Sequence, residues 1–159
     1  MKLNIKTYSV SVIITVYNDF EYLERALEAA DNQCTPPDEI IVIDDGSLDD
    51  SAEVICNSYK NRRRLPIHYF KKMNGGPASA RNLGAQKSKY ELLAFYDVDD
   101  NWLPNHISNK FNVLGSLNNI DLYFGVFGSF INSITNKGMP FSTVDGGLEL
   151  RNVVGKKHG

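Results

Sequence analysis

Residues 39–47 read EIIVIDDGS, in which four β-branched side chains are followed at once by two aspartates, a glycine and a serine. A short apolar run that ends in turn-forming residues predicts a buried strand. The change to Asp44 and Asp45 then places two carboxylates at the carboxyl end of that strand. The fold class depends on whether helices or tight turns join this strand to its neighbours, and the flanking sequence indicates which of the two is present.

Three more apolar runs predict strands, at Tyr8–Val16, Pro66–Phe70 and Glu91–Tyr96. Amphipathic stretches predict helices between and after the strands, at residues 19–32 with Asp19 as N-cap, 50–61, 77–86 and 104–116. Strands that alternate with helices imply right-handed crossovers and a mostly parallel sheet. The sequence therefore predicts an α/β protein with a three-layer α/β/α, Rossmann-like architecture.

The last part of the chain predicts a different edge to the sheet. Residues 122–131 favour a strand, residues 135–138 (TNKG) favour a hairpin turn, and residues 139–144 favour a returning strand, which together predict an antiparallel edge. Residues 145–159 show no clear pattern and are expected to form no regular element, with a frayed tail from Gly155. Because no repeat or linker interrupts the pattern, residues 1–159 are expected to form a single domain.

The composition is that of a soluble globular domain. The chain has 159 residues, of which 42% are hydrophobic and 23% charged, with a formal net charge of −2. The chain therefore lacks the excess of positive charge with which proteins bind nucleic acid.

Cys34 and Cys56 have no metal-ligand spacing and are expected to be free thiols. No apolar run approaches the ~20 residues of a transmembrane segment, and residues 1–10 lack a signal-peptide core, so a cytoplasmic location is expected.

Polar groups follow all four predicted parallel strands. Ligands of open α/β sheets bind outside the carboxyl ends of the strands, so these groups predict a binding site. They are Tyr17 and Asn18 after the first strand, Asp44 and Asp45 after the second, residues 74–76 (NGG) after the third, and Asp97, Asp99 and Asp100 after the fourth.

The carboxylates allow both functional and structural interpretations. Asp97 and Asp99 can converge on one Mg²⁺ or Mn²⁺, an ion that takes one or two carboxylates and completes its shell with water and phosphate oxygens. Alternatively, Asp99 or Asp100 caps a helix or fills a turn. Because acidic clusters end two separate strands, we favour the metal. One of Asp44 and Asp45 is expected to form the turn, and a carboxylate here can accept hydrogen bonds from a nucleobase.

Three other candidates each allow a structural and a functional interpretation. Tyr17 either packs in the core or stacks on a base. The amides of Gly75 and Gly76 either belong to a simple loop or face an anion at the start of the next helix. Arg81 either lies on a solvated helix face or reaches a diphosphate or a base. The dinucleotide, P-loop and serine-hydrolase signatures are absent, and the three histidines are isolated in the sequence.

Four segments, in this order and spacing, resemble the family-2 glycosyltransferases of the GT-A fold. They are SVIITVYND (residues 11–19), EIIVIDDGSLDDS (39–51), NGGPASARNLGAQKS (74–88) and LLAFYDVDDNWLP (92–104). The resemblance covers about residues 9–125. Each segment is weak evidence alone, but the four together are highly specific.

The resemblance implies roles for individual residues. Asp45 matches the carboxylate that reads the base, usually uracil, and Asp99 matches the metal ligand of the family's DxD motif. Asp97 is implied to lie against the ribose or the metal. The rest of the nucleotide pocket is implied to comprise Thr15, Val16 and Tyr17 in its wall, Gly76 and Arg81 in the approaching loop and helix, and Val98 within the DxD motif.

The resemblance also implies a reaction. A sugar passes from a nucleotide-diphosphate sugar, usually a UDP-sugar, to a hydroxyl of a saccharide or lipid-linked saccharide, with inversion and with Mn²⁺ or Mg²⁺ as cofactor. The implied process is polysaccharide biosynthesis, with peripheral membrane contact. In this family the general base lies further along, in an acceptor-binding half that residues 1–159 do not match. We therefore expect a nucleotide-sugar-binding domain lacking that half. A non-catalytic binder and, with less support, a phospho-acceptor signalling domain are the alternatives.

Overall fold

The computed structural model describes residues 8–62, 65–90, 92–116, 122–124 and 153–156. Within these ranges, strands alternate with helices as the sequence predicts. The strands are β1 (Val10–Val16), β2 (Glu39–Asp44), β3 (Ile67–Lys71), β4 (Leu92–Asp97), β5 (Leu122–Phe124) and β6 (Val153–Lys156). The helices are α1 (Leu23–Asp31), α2 (Ser51–Arg62), α3 (Pro77–Lys87) and α4 (His106–Ser116), and a 3₁₀ turn (Phe20–Tyr22) precedes α1.

The strands form one six-stranded sheet in the order β3-β2-β1-β4-β6-β5. Strands β1 to β4 are parallel to one another, whereas β6 runs antiparallel to both β4 and β5. The carboxyl ends of the four parallel strands therefore lie at one edge of the sheet. The predicted α/β fold, with a mostly parallel sheet and an antiparallel edge, is confirmed.

Helices cover both faces of the sheet, which explains why its central strands are apolar throughout. On one face, Val12 and Ile14 of β1 belong to a core that includes the buried sides of α1, α2 and α4. On the other face, Ile13 packs with residues of β2 and with Ala80 of α3. Alternate side chains of β1 therefore contribute to two different cores, and the arrangement has three layers.

Three local predictions are wrong. Strand β6 lies in the stretch expected to have no regular element, because a four-residue run containing Gly155 carries no periodic signal and becomes a strand by pairing with β4 and β5. Helix α4 begins at His106 rather than Pro104, whose carbonyl accepts a hydrogen bond from the Cys34 N–H at 2.7 Å. Asp19 makes no side-chain cap hydrogen bond, because the chain enters α1 through the 3₁₀ turn.

Other predictions are confirmed or lie outside the described residues. Cys34 and Cys56 are both free thiols. The part of the chain that the structure describes contains no helix with the length and apolarity to cross a bilayer. The hairpin expected at residues 135–144 and residues 125–131 of the strand expected at 122–131 lie outside the described ranges.

Gly84 allows α3 to lie directly against β1. A Cβ atom at this position would be 2.3 Å from Cγ2 of Ile13, a distance that real Cβ atoms do not adopt. Because Ile13 is itself fully buried in the middle of the sheet, it has little room to move away. The spacing between this helix and the sheet therefore depends on a glycine at position 84.

We expect Gly84→Ala to lower the free energy of unfolding by about 2 kcal/mol, in the usual range for an overpacked core. The higher helix propensity of alanine, worth roughly 1 kcal/mol, offsets only part of the clash. Chemical denaturation measures the effect. Asn82→Ala, at an exposed position of α3, is the control and should be neutral or stabilising. Equal stability of the two variants would contradict the packing argument.

Candidate functional site

Asp44 closes the turn after β2. Its carboxylate accepts a hydrogen bond from the Ser47 N–H at 2.7 Å and another from the Tyr69 hydroxyl at 2.8 Å. The side chain is fully buried, so both bonds compensate for lost hydration. Burial and the hydrogen bond to Asp44 raise the pKa of Tyr69, which therefore stays protonated as the donor. Of the two aspartates, Asp44 is the one that forms the turn.

Asp45 faces the loop that follows β3. One carboxylate oxygen accepts hydrogen bonds from the Lys72 ammonium and the Gly75 N–H, and the other accepts one from the Gly76 N–H at 2.7 Å and a longer one from the Gly75 N–H at 3.3 Å. Burial alone would raise the pKa of Asp45, but these hydrogen bonds together outweigh it and the pKa lies below its usual value. Asp45 is therefore an anionic carboxylate held by three donors of one loop.

Two glycines shape this region, Gly46 in the loop after β2 and Gly76 in the loop after β3. Gly46 has a φ of 85°, and a Cβ there would lie 2.7 Å from the backbone nitrogen of Asn74. The loops after β2 and β3 consequently pack backbone against backbone. Gly76 has a φ of 84°, but no heavy atom within the described ranges lies within 4 Å of a Cβ built on it. The two loops therefore leave no room for a side chain at Gly46, whereas the space beside Gly76 is open.

The end of β1 lies between these loops and β4. Val16 is buried, and its carbonyl accepts the Asp45 N–H at 2.9 Å. Tyr17 is 47% exposed, which excludes a core position and leaves its ring accessible. Asn18 has a φ of 58° and links the first two strand ends: its N–H donates to the Ser47 hydroxyl, and its side-chain oxygen accepts the Leu48 N–H.

Asp97, at the end of β4, is paired with an arginine. One terminal nitrogen of Arg81 lies 2.7 Å from each carboxylate oxygen, and the Thr15 hydroxyl donates to the same carboxylate at 3.3 Å. Arg81 therefore does not lie on a solvated helix face, which was one of its two interpretations. Its charge compensates that of Asp97 at an edge that is still partly open to solvent.

The turn after β4 separates two carboxylates. The Asp100 N–H donates to the Asp97 carbonyl at 2.9 Å, which closes the turn, and Val98 is buried beneath it. Asp99 is exposed. The guanidinium of Arg25 on α1 lies 3.3 Å from the Asp99 carbonyl and 3.4 Å from the next one. The turn is therefore supported by α1 while the Asp99 side chain faces solvent.

The residues present fit a hard divalent cation only if a ligand completes the site. Within residues 8–62, 65–90 and 92–111, whose side chains the structure describes, no group of three or more histidines, cysteines, aspartates or glutamates could hold a metal ion. Asp99 alone is too few ligands for Mg²⁺ or Mn²⁺, but a site with one or two carboxylates and phosphate oxygens is common for these ions. The arrangement therefore requires a phosphate-bearing ligand.

Sequence reasoning missed two residues at this edge. Lys72 contacts Asp45, and the available signal was its position after β3, beside a strand that ends in two aspartates. Arg25 supports the turn after β4, but nothing in the sequence distinguishes it from other exposed residues of an amphipathic helix. All the predicted residues at strand ends lie along the same edge, and Asp44 alone is fully committed to the turn.

Curated relatives match this chain over most of its length, whereas it spans only a minor part of theirs. An uncharacterized glycosyltransferase of Rickettsia typhi, RT0329, is 40% identical over 122 residues, which are 77% of this chain and 37% of that protein. A second, from Rickettsia bellii, is 46% identical over 98 residues, 62% of this chain and 14% of its own length. The minor teichoic acid biosynthesis protein GgaA of Bacillus subtilis is 37% identical over 109 residues, 64% of this chain and 24% of GgaA.

Solved structures share the fold at low sequence identity. The mannosyltransferase PcManGT from Pyrobaculum calidifontis, in complex with GDP-Man and Mn²⁺, has a TM-score of 0.65 and 21% identity, covering 77% of this chain and 36% of that one. Residues 1–349 of TarS from S. aureus, in complex with UDP-GlcNAc, have a TM-score of 0.66 and 24% identity, covering 87% and 38%. The sequence model of the family described as glycosyl transferase family 2 matches residues 11–145. Because this match covers most of the chain, the chain belongs to that family.

Proposed function

We propose that this chain forms the nucleotide-sugar-binding part of an inverting glycosyltransferase whose donor is a UDP-sugar. The observation that carries the proposal is the grouping of Tyr17, Asp45 and Asp99 at the carboxyl ends of three adjacent parallel strands. The exposed ring of Tyr17 suits stacking on a base, and the buried, anionic carboxylate of Asp45 suits the imide N–H of that base. The exposed carboxylate of Asp99 suits a metal ion bound to the diphosphate. The proposed location is cytoplasmic, with peripheral membrane contact.

In this proposal the base lies between Tyr17 and the loop after β3. The exposed ring of Tyr17 stacks on the base, and Asp45 accepts the ring N–H. The open space at Gly76 lets the nucleotide approach the backbone. Thr15, Val16 and Val98 form the wall behind the nucleotide. These three residues are buried or half-buried, so they support the pocket by packing at the strand ends and make no polar contact with the nucleotide.

The diphosphate and its metal lie at the end of β4. Asp97 is already neutralised by Arg81, so Asp99 is the principal carboxylate for Mn²⁺ or Mg²⁺. The cation, when bound, supplies Lewis-acid compensation for charge on the departing diphosphate. Arg81 also lies close enough to this edge to contribute positive charge to the diphosphate if its pairing with Asp97 rearranges.

The reaction proposed for the whole protein is a direct displacement. The oxygen of an acceptor hydroxyl forms a bond to the anomeric carbon, the bond from that carbon to the nucleoside diphosphate breaks, and the configuration inverts. The hydroxyl proton passes to a general base, which typically contributes ~10²–10⁴-fold and to which we assign no residue. The proposed acceptor is a saccharide or lipid-linked saccharide in polysaccharide biosynthesis, and the similarity to GgaA, a minor teichoic acid biosynthesis protein, supports a role in building a cell-surface polymer.

The first test of this proposal concerns the base. We expect Asp45→Ala to weaken UDP binding at least tenfold and to reduce the preference for UDP over CDP, because a hydrogen bond to a charged group contributes about 1.5–3 kcal/mol. Isothermal titration calorimetry measures both quantities. Asp50→Ala, an exposed carboxylate at the start of α2, is the control. Unchanged affinity and preference in Asp45→Ala would exclude the role.

The second test concerns the metal. We expect Asp99→Ala to abolish the part of UDP affinity that depends on Mn²⁺ and to leave the metal-free affinity nearly intact, because the metal site needs both the carboxylate and phosphate oxygens. Asp100→Ala, at the next residue in the turn, should lose much less. Titration of both variants with UDP, with and without Mn²⁺, makes the comparison.

The variant that loses the Mn²⁺ dependence of UDP binding identifies the aspartate that binds the metal. If Asp100→Ala loses the metal dependence and Asp99→Ala keeps it, the motif is assigned one residue too early. If both variants keep it, the metal site lies elsewhere and the mechanism loses its main support. Sugar release from UDP-sugars, assayed on the same samples, separates a transferase from a protein that only binds the nucleotide sugar.

A further inference from the structure

The ammonium group of Lys72 has hydrogen-bonding capacity that its described contacts do not use. Its Nζ lies 2.5 Å from a carboxylate oxygen of Asp45 and 2.6 Å from the Met73 carbonyl. An ammonium has three protons, and the structure describes acceptors for two of them. The Lys72 side chain is 19% exposed, so a ligand at this edge can reach its ammonium group.

The Asp45 carboxylate can accept one more donor. Its two oxygens offer about four acceptor positions and receive three donors: Lys72 and Gly75 at one oxygen and Gly76 at the other, with the Gly75 N–H also 3.3 Å from the second oxygen. This shared contact is the longest of the four, so a ligand N–H can take its place while the Gly75 N–H keeps its 3.0 Å bond to the first oxygen. A ligand that presents a donor beside an acceptor can bind both without displacing Lys72, whose removal from a buried carboxylate would be strongly unfavourable.

We propose that Lys72 is a specificity-determining residue that, together with Asp45, selects bases carrying a ring N–H next to a carbonyl group. This inference rests on the function proposed above and specifies its ligand. Uracil and guanine present this edge, with the N–H donating to Asp45 and the carbonyl accepting from Lys72. Cytosine and adenine have an unprotonated ring nitrogen instead, which would leave the Asp45 position unpaired in a nearly buried site.

The neighbouring lysine provides a matched contrast. Lys71 is the last residue of β3, and its ammonium contacts the Asp50 carboxylate at 2.8 Å and the Asp49 carbonyl at 3.0 Å. Asp50 is largely exposed, so this pair lies in solvent, where ion pairs contribute little. Lys71 and Lys72 therefore have the same side chain and charge, but of the two only Lys72 contacts Asp45, the carboxylate of the candidate base site.

The experiment compares base preference in Lys72→Met and Lys71→Met. Each variant and the unmodified chain is titrated with UDP, GDP and CDP in the absence of metal. We expect the unmodified chain to bind UDP or GDP at least tenfold more tightly than CDP, because a site built for hydrogen bonding leaves polar groups unpaired with the wrong partner. Lys72→Met should reduce that ratio to about threefold or less, and Lys71→Met should keep it. Lys72→Arg, which retains donors, should restore most of it.

The outcomes separate this inference from the proposed function. If the unmodified chain binds none of the three nucleotides, either without metal or when the titrations are repeated with Mn²⁺, the proposed function fails. If it binds all three equally, the inference fails and a nucleotide-binding role stands. If Lys72→Met weakens all three nucleotides by the same factor, Lys72 only holds the loop, and the inference is overturned.

A ligand-side test covers the case in which Lys72→Met does not fold. In 2-thio-UDP and 4-thio-UDP, sulfur, a weak acceptor, replaces one carbonyl oxygen. We expect one of the two analogues to bind the unmodified chain about tenfold less tightly than UDP, a loss of the size that one charge-assisted hydrogen bond supports. If both analogues bind as tightly as UDP, no donor reads a carbonyl group and the inference is wrong.

Discussion

The register of β1 between β2 and β4 determines which side chains meet at the candidate site. Parallel pairing sets Thr15 opposite Asp97 on one side and Val16 opposite Asp44 on the other. Because β1 is buried on both faces, a slip of one residue would exchange the side chains of its two cores. The hydrophobic pattern of one strand therefore holds the polar ends of three strands in position.

Backbone contacts then hold the loops that leave those strands. Asp44 closes the turn after β2, Asn18 joins the first loop to the second, and Gly46 lets the third loop pack against the second. These contacts lie beneath the side chains proposed to bind the ligand, so binding requires little ordering of the loop after β3. Preorganised groups of this kind lose less free energy on binding than groups that must first be ordered.

Asp97 and Asp99, at the turn after β4, have different electrostatic environments. Asp97 is compensated by Arg81, whereas Asp99 projects into solvent. The same contrast separates Asp44 from Asp45 at the end of β2, where one carboxylate is used internally and the other faces a loop. At the ends of β2 and β4, then, Asp44 and Asp97 have partners in the strands and helices around them, whereas Asp45 contacts a loop and Asp99 faces solvent.

The sequence by itself determined the order of the elements, the three-layer fold and the edge at which polar side chains gather, because those depend on hydrophobic period and on strand direction. The family resemblance was also visible in its four segments. The sequence did not determine which aspartates pair within the protein, since residues of the same type at neighbouring positions differ only in the partners that folding brings to them. The contacts of Lys72 with Asp45 and of Arg25 with the turn after β4 join residues 27 and 74 positions apart. Strand β6 likewise carries no periodic signal and exists through pairing with β4 and β5. Only the tertiary structure decided these features, because each depends on a contact between distant parts of the chain.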